Sequence, residues 1–212
     1  MIAIVDYGMG NLESVSKALK HLGFDVVVTS NVADIKAADG VVLPGVGAFP
    51  DCMANLEKLG LTNVVKDAAI NKPFLGICLG LQLLFEESEE FGKHKGLSVF
   101  KGRVKKFQDN MVVDGEKLKI PHMGWNSIKI KKTTPFLDGI KDDSYFYFVH
   151  SYYVETGEDL VATETSYGIN FVSSVAKGRL FACQFHPEKS QRLGLKLLEN
   201  FGLLVKGDKK WE

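Results

Sequence analysis

The chain has 212 residues, 26 basic and 26 acidic, so its formal net charge is zero; 45% of residues are hydrophobic and 25% charged. This is the balance of an ordinary globular chain able to bury a core, without the basic excess that marks a nucleic-acid surface or the roughly 20 consecutive apolar residues of a membrane span. The three cysteines, Cys52, Cys78 and Cys183, form no disulfide framework or close-spaced zinc pattern, and the opening Met1-Ile2-Ala3-Ile4-Val5-Asp6 lacks the basic flank of a secretory signal, so a reducing, cytoplasmic setting is expected.

In chain order, the first half alternates short apolar runs with helical patterns. Ile2 to Val5 reads as a strand; Asn11 can cap a helix whose Leu12, Val15, Leu19 and Leu22 share a face, and Gly23 can end it. Asp25 to Thr29 and Gly40 to Leu43 read as strands, Leu56 to Ile70 contains helical material, Pro73 to Ile77 is a further strand, and Leu79 to Phe85 resumes a helical pattern. Strand-helix repetition at this spacing predicts βαβ units and a mainly parallel, helix-covered sheet. The second half changes character. Residues 101 to 107, 128 to 131, 145 to 149, 160 to 165, 169 to 175 and 180 to 185 are strand-like, Asp114-Gly115 is a turn signal, and 191 to 201 supplies a closing helix. Antiparallel strands should extend the central sheet. No repeat or Pro/Gly/Ser-rich linker divides the chain, so one domain over residues 1–204 is expected, followed by a polar, frayed tail at 205–212.

Gly76-Ile77-Cys78-Leu79-Gly80-Leu81-Gln82 carries the first chemical signal. At a sharp strand-to-helix turn a side chain is pushed outward, and small residues two before and two after it allow the elements to close together. Cys78 also precedes free N–H groups at a helix start, which favour a thiolate, and the N–H of Leu79 is placed to hold an oxyanion. The competing reading is a buried structural cysteine with glycines serving only the turn. A nucleophile needs a base and the base an orienting group. Gln184-Phe185-His186-Pro187-Glu188 supplies both, because residues two apart in extended chain project to one side, letting Glu188 reach one ring nitrogen of His186 while the other faces Cys78. The same alternation sets Cys183 apart from His186, against a metal site. His122 and His150 read as structural hydrogen-bonding residues.

Two glycine loops follow strands. Asp6-Tyr7-Gly8-Met9-Gly10-Asn11 lacks the third glycine of a dinucleotide loop, since residue 13 is Glu. Pro44-Gly45-Val46-Gly47-Ala48-Phe49 follows the strand ending at Leu43, and its glycines permit an amide to turn toward an oxyanion; an ordinary turn is the alternative.

Together the Cys78 turn, the His-Pro-Glu run and the Gly45–Gly47 loop resemble the class I, or triad, glutamine amidotransferase family. The loops at Asp6 to Leu12 and Pro44 to Phe49, with Pro121-His122-Met123-Gly124-Trp125-Asn126 and His150-Ser151-Tyr152, resemble more narrowly the glutaminase subunits of imidazole glycerol phosphate synthases. The resemblance covers residues 1 to about 204; Gln108 to Lys119 looks longer than the family requires. It implies a flavodoxin-like three-layer α/β fold, with a mostly parallel sheet and extra antiparallel strands in the second half. It implies Cys78 as nucleophile, His186 as general base and Glu188 as orienting acid, with Leu79, Gly45 and Val46 forming the oxyanion hole. Gly47, Gln82, Ser151 and Tyr152 would bind L-glutamine. Tyr7, Gly10, Asn11, Met123, Trp125, Asn126, Tyr147 and Lys189 would face a (βα)₈-barrel cyclase subunit in a heterodimer. No cofactor or metal is implied. Rival readings are a glutaminase for another synthase, a cysteine peptidase of related architecture, and a noncatalytic module keeping an inert triad.

Overall fold

The computed structural model describes residues 1–210 apart from Asp114 and Glu158. In the first half, β1 (Ile2–Val5), β2 (Val26–Thr29), β3 (Gly40–Gly45) and β4 (Phe74–Cys78) alternate with α1 (Leu12–His21), α2 (Val32–Ala37), α3 (Phe49–Lys58), α4 (Thr62–Asn71) and the one-turn α5 (Leu79–Gln82). Short strands β5 (Glu87–Ser88), β6 (His94–Lys95), β7 (Arg103–Lys106), β8 (Val112–Val113) and β9 (Glu116–Lys117) follow. The remaining strands are β10 (His122–Ser127), β11 (Lys129–Ile130), β12 (Tyr145–His150), β13 (Tyr152–Glu155), β14 (Val161–Tyr167), β15 (Ile169–Lys177) and β16 (Leu180–Cys183), and α6 (Gln191–Lys206) closes the chain.

The main sheet runs β2-β1-β3-β4-β16-β15-β13-β7-β5-β6, with β14 and β11 branching from β15. Its β2-β1-β3-β4-β16 part is parallel, and antiparallel pairing begins where β15 joins β16. The parallel strands β1, β3, β4 and β16 are buried throughout their lengths, while the edge strand β2 is only partly covered. Helices cover both faces, so these strands read as continuous apolar runs rather than as alternation. One core includes Val5, Leu43, Phe49, Leu56 and Phe74; the other includes Ile4, Leu75, Phe146, Phe185 and Phe201. Full burial of such side chains contributes about 1.5–3 kcal/mol each. β10 and β12 form a separate antiparallel ribbon.

Several boundaries differ from the sequence reading. Helical material expected over Leu56 to Ile70 is two helices broken at Leu59-Gly60-Leu61, with Gly60 at φ +68. The helix expected over Leu79 to Phe85 is a single turn ending at Gln82. β10 was not expected; its Met-Gly-Trp-Asn run lacks strand patterning and pairs only because β12 lies opposite. β8 and β9 pair across the expected Asp114-Gly115 turn, of which Asp114 lies outside the described residues. The tail differs too. α6 continues to Lys206, Gly207 ends it in a left-handed conformation, and Lys209 Nζ lies 2.8 Å from Asp138 and 3.1 Å from Asn200 Oδ1.

Candidate active site

β4 ends at Cys78 and α5 starts at Leu79 with no intervening loop. The backbone turns at Cys78 itself, with φ +54 and ψ −108. A side chain held there costs on the order of 1–3 kcal/mol and persists only when its surroundings dictate it. The flanking glycines show what dictates it. A Cβ on Gly80 would lie 1.9 Å from the Leu43 carbonyl oxygen, and one on Gly76 would lie 2.9 Å from both Ala182 Cβ and the Gly80 oxygen. Only glycine lets β3, β4, β16 and the helix start approach so closely.

His186 lies three residues beyond β16 and is held by its backbone N–H, which donates to the Tyr147 carbonyl at 2.9 Å. Its Nδ1 meets Glu188 Oε1 at 2.8 Å, with the two side chains 2% and 1% exposed. Glu188 arrives by a route other than the extended one expected: Pro187–Lys189 is a 3₁₀ turn, and that turn swings the carboxylate back under the ring. Burial opposes protonation of His186, but the Cys78 sulfur and then the Glu188 carboxylate outweigh it and push the imidazole up to about 10. Among the described residues Nε2 has no partner of ordinary hydrogen-bond geometry. His186 and Cys78 both line a cavity of about 310 Å³.

Leu79, Val46, Gly47, Gln82, Ser151 and Tyr152 line that same cavity. Gly45 does not. It pairs with Cys78 across β3 and β4, and a Cβ there would meet the Tyr7 hydroxyl at 2.7 Å and Leu79 Cβ at 2.8 Å. Gly45 therefore serves close packing beneath the site. Gly47 turns at φ +94. From below, Tyr7 Oη donates to the Pro44 carbonyl at 2.8 Å and Cys52 Sγ to that of Val46 at 3.7 Å. Burial pushes the Cys52 thiol up to about 12, so it stays a neutral donor.

The residues assigned to a partner face separate into two sets. Met123 and Trp125 are 66% and 46% exposed on the β10–β12 ribbon, and Trp125 packs edge-on to Tyr147. Lys189 Nζ sits 5.9 Å from the Tyr147 ring centroid and also lines the cavity. Gly10, half-buried at φ +124, lies against Pro44. Tyr7, expected on the partner face, is 1% exposed and packs in the core of this chain. Asn11 holds the N-cap position of α1 without capping it; its Nδ2 instead lies 3.4 Å from Glu188 Oε1. The amide of Asn126 is directed inward, to the Ser166 carbonyl at 2.9 Å and His122 Nε2 at 3.2 Å.

A strand-to-helix cysteine, a buried His–Glu pair and a glycine loop thus meet at the carboxyl ends of β3, β4 and β16. The family model "Glutamine amidotransferase class-I" matches residues 3–205. The chain belongs to the class-I glutamine amidotransferases. Imidazole glycerol phosphate synthase subunit HisH of Caldanaerobacter subterraneus subsp. tengcongensis is 53% identical over 208 residues, covering 97% of this chain and 99% of the relative. The protein of that name from Aromatoleum aromaticum is 54% identical over 205 residues, 94% of this chain and 96% of its own. Among solved structures, PurLQS from Thermotoga maritima superposes with a TM-score of 0.69 at 16% identity, over 99% of this chain and 98% of that one. At that identity the likeness bears on the fold alone.

Two residues of this amidotransferase site escaped the sequence reading. Glu90, last of the Glu86-Glu87-Ser88-Glu89-Glu90 stretch, lines the cavity and accepts the Phe49 N–H at 2.8 Å, anchoring α3 directly after the glycine loop; burial raises its carboxyl pKa. Gln184, the one amide in an apolar strand end, reaches the Cys78 sulfur. An amide in a run that is otherwise apolar was the available signal. No group of His, Cys, Asp and Glu able to hold a metal ion occurs among the described residues, and no helix there is long and apolar enough to cross a membrane.

Proposed function

We infer that the chain is the glutaminase subunit of an imidazole glycerol phosphate synthase: it hydrolyses the side-chain amide of L-glutamine and passes ammonia to a (βα)₈-barrel cyclase subunit in a heterodimer of histidine biosynthesis. The identity of 53% over nearly the whole length of the Caldanaerobacter relative supports the pathway. The observation that carries the chemistry is the buried His186–Glu188 contact at 2.8 Å, with His186 lining the same cavity as Cys78.

In this reading the Cys78 thiolate attacks the δ-carbonyl carbon, and the carbonyl π electrons move to oxygen. Leu79 N–H and an amide of the Gly45–Gly47 loop hold that oxyanion. Imidazolium His186 gives its Nε2 proton to the departing nitrogen, releasing ammonia and leaving a γ-glutamyl thioester. His186, now neutral, takes a proton from water; the hydroxide adds to the thioester, and the sulfur leaves as thiolate with glutamate as product. Glu188 keeps the ring oriented and stabilises its charge. Gln82, Ser151, Tyr152 and Gly47 bind the amino-acid end. Met123, Trp125, Tyr147 and Lys189 present a partly apolar face beside the cavity, suited to a partner that receives ammonia before bulk water protonates it.

The test is an assay of the assembled complex with glutamine or with ammonium as nitrogen source. Cys78→Ala should abolish the glutamine-driven reaction and leave the ammonium-driven one within about twofold, since the cyclase chemistry lies on the partner. Retention of both reactions would remove Cys78 from the mechanism.

A further inference from the structure

The mechanism above leaves one polar contact of the nucleophile unused. Gln184 is wholly buried just beyond β16, and its Nε2 lies 3.6 Å from Cys78 Sγ. Which end of a side-chain amide faces the sulfur is decided by its other partners. The starting point is the backbone carbonyl of Tyr152, which can only accept. Gln82 Nε2 lies 3.1 Å from it, so Gln82 must present its NH₂ there. That NH₂ also lies 2.9 Å from Gln184, which must therefore present its carbonyl oxygen to Gln82. The end left for the sulfur is the NH₂. Flipping Gln184 would set two NH₂ groups against each other and aim a carbonyl lone pair at the sulfur.

The same carbonyl also orders the opposite branch. His150 Nδ1 lies 2.7 Å from the Tyr152 oxygen, so the proton of His150 sits on Nδ1 and its Nε2 accepts. His122 Nδ1 donates to that Nε2 at 2.9 Å, and His122 Nε2 accepts from Asn126 Nδ2 at 3.2 Å. Each donor and acceptor end is thereby assigned, and the Tyr152 oxygen accepts from both branches.

We propose that Gln184 is a catalytic residue of the glutamine hydrolysis: its side-chain N–H binds the Cys78 sulfur as thiolate, and the Tyr152 carbonyl, acting through Gln82, enforces that polarity. The proposal rests on Cys78 being the nucleophile. A hydrogen bond to an anion is roughly twice as strong as one between neutral groups, so the contact favours thiolate over thiol. It weakens when the sulfur becomes a neutral thioester and is regained when thiolate leaves. It therefore assists the second half of the reaction, where sulfur is the leaving group. On attack the held thiolate is somewhat less nucleophilic, but intrinsic reactivity falls only about half as steeply as thiolate population grows.

The test is alkylation of Cys78 in the folded chain by iodoacetamide, an uncharged reagent, followed by peptide mass spectrometry across pH 6 to 10. Gln184→Glu keeps the side-chain shape and Gln184→Leu replaces the amide by an apolar group. Both should slow labelling at pH 7 by about threefold, the net of a roughly tenfold smaller thiolate fraction and a more nucleophilic freed thiolate, with rates meeting or passing wild type as pH rises. In Gln184→Glu, which keeps an oxygen toward Gln82, glutaminase kcat should fall with KM nearly unchanged, because Gln184 does not line the cavity. Wild-type labelling at pH 7 in either folded variant would overturn the proposal. Should both variants fail to fold, the wild-type chain decides: the Gln184 side-chain NH₂ resonances should move when Cys78 is alkylated, and unchanged resonances would overturn it. Glutaminase activity surviving in Cys78→Ala would instead remove the nucleophile on which Gln184 is built, a different signature.

Discussion

His186 Nδ1 and Glu188 Oε1 meet at 2.8 Å inside the protein, two residues apart in sequence, because the turn through Pro187 folds the carboxylate back beneath the ring. The pair is buried and adjoins a sulfur, so its protonation is linked to both activity and stability. The folded-state pKa of His186 is raised from 6.5 to about 10. The stabilisation from this shift is complete below pH 6.5 and disappears as pH rises toward 10.

Glu188→Gln keeps the shape and removes the charge. Glutaminase kcat should fall by about a thousandfold, by analogy with other triads whose orienting acid is neutralised. The ammonium-driven reaction of the complex should persist. Thermal denaturation between pH 6.5 and 10 should show a shallower alkaline loss of stability than wild type, since less stabilisation of the imidazolium remains to be lost. An unchanged alkaline slope would separate Glu188 from the charge state of His186.

The His122–His150 pair behaves in the opposite sense. Burial, chiefly, lowers His122 to about 4 and His150 to about 3. From pH 6.5 downward the unfolded chain takes up protons that the folded chain refuses, so stability falls with pH. By pH 4 the loss should reach on the order of 3 kcal/mol per ring. His122→Gln should start less stable at pH 7 but show a flatter acid slope in Tm, measured from pH 7 to 4.

Gly80→Ala would drive a methyl group into the Leu43 carbonyl oxygen, 1.9 Å from the ideal Cβ position. The expected destabilisation is about 2–3 kcal/mol, a Tm fall of about 5–10 °C in a chain of this size. Gly157→Ala is the control, because nothing lies within 4 Å of a Cβ there; its Tm should stay within about 2 °C. Equal Tm values for the two variants would show that close approach at the nucleophile turn is not what requires Gly80.

Trp125 and Met123 should anchor the cyclase. Trp125→Ala is expected to weaken association by about 2 kcal/mol, roughly thirtyfold in Kd, as for a central aromatic contact. Titration of the two subunits followed by calorimetry measures this. Tyr7→Phe should leave Kd unchanged, since Tyr7 is buried within this chain.

What the sequence determined by itself was the local chemistry. Glycines two before and two after Cys78 required a tight turn, β-branched and apolar runs required buried strands, and His-Pro-Glu placed a base beside an acid. These signals were legible because each lies within a few residues. What only the tertiary structure decided depends on partners far along the chain. Tyr7 looked like a loop residue until Pro44 and Cys52 closed over it, and Asn11 looked like a helix cap until Glu188 took its amide. β10 had no strand pattern of its own and became a strand by pairing with β12. The polarity of Gln184 toward the sulfur rests on Tyr152 and Gln82, 32 and 102 residues away in sequence by subtraction of their numbers. A buried polar group is oriented by whichever donors and acceptors folding brings to it, and no local spacing records which those will be.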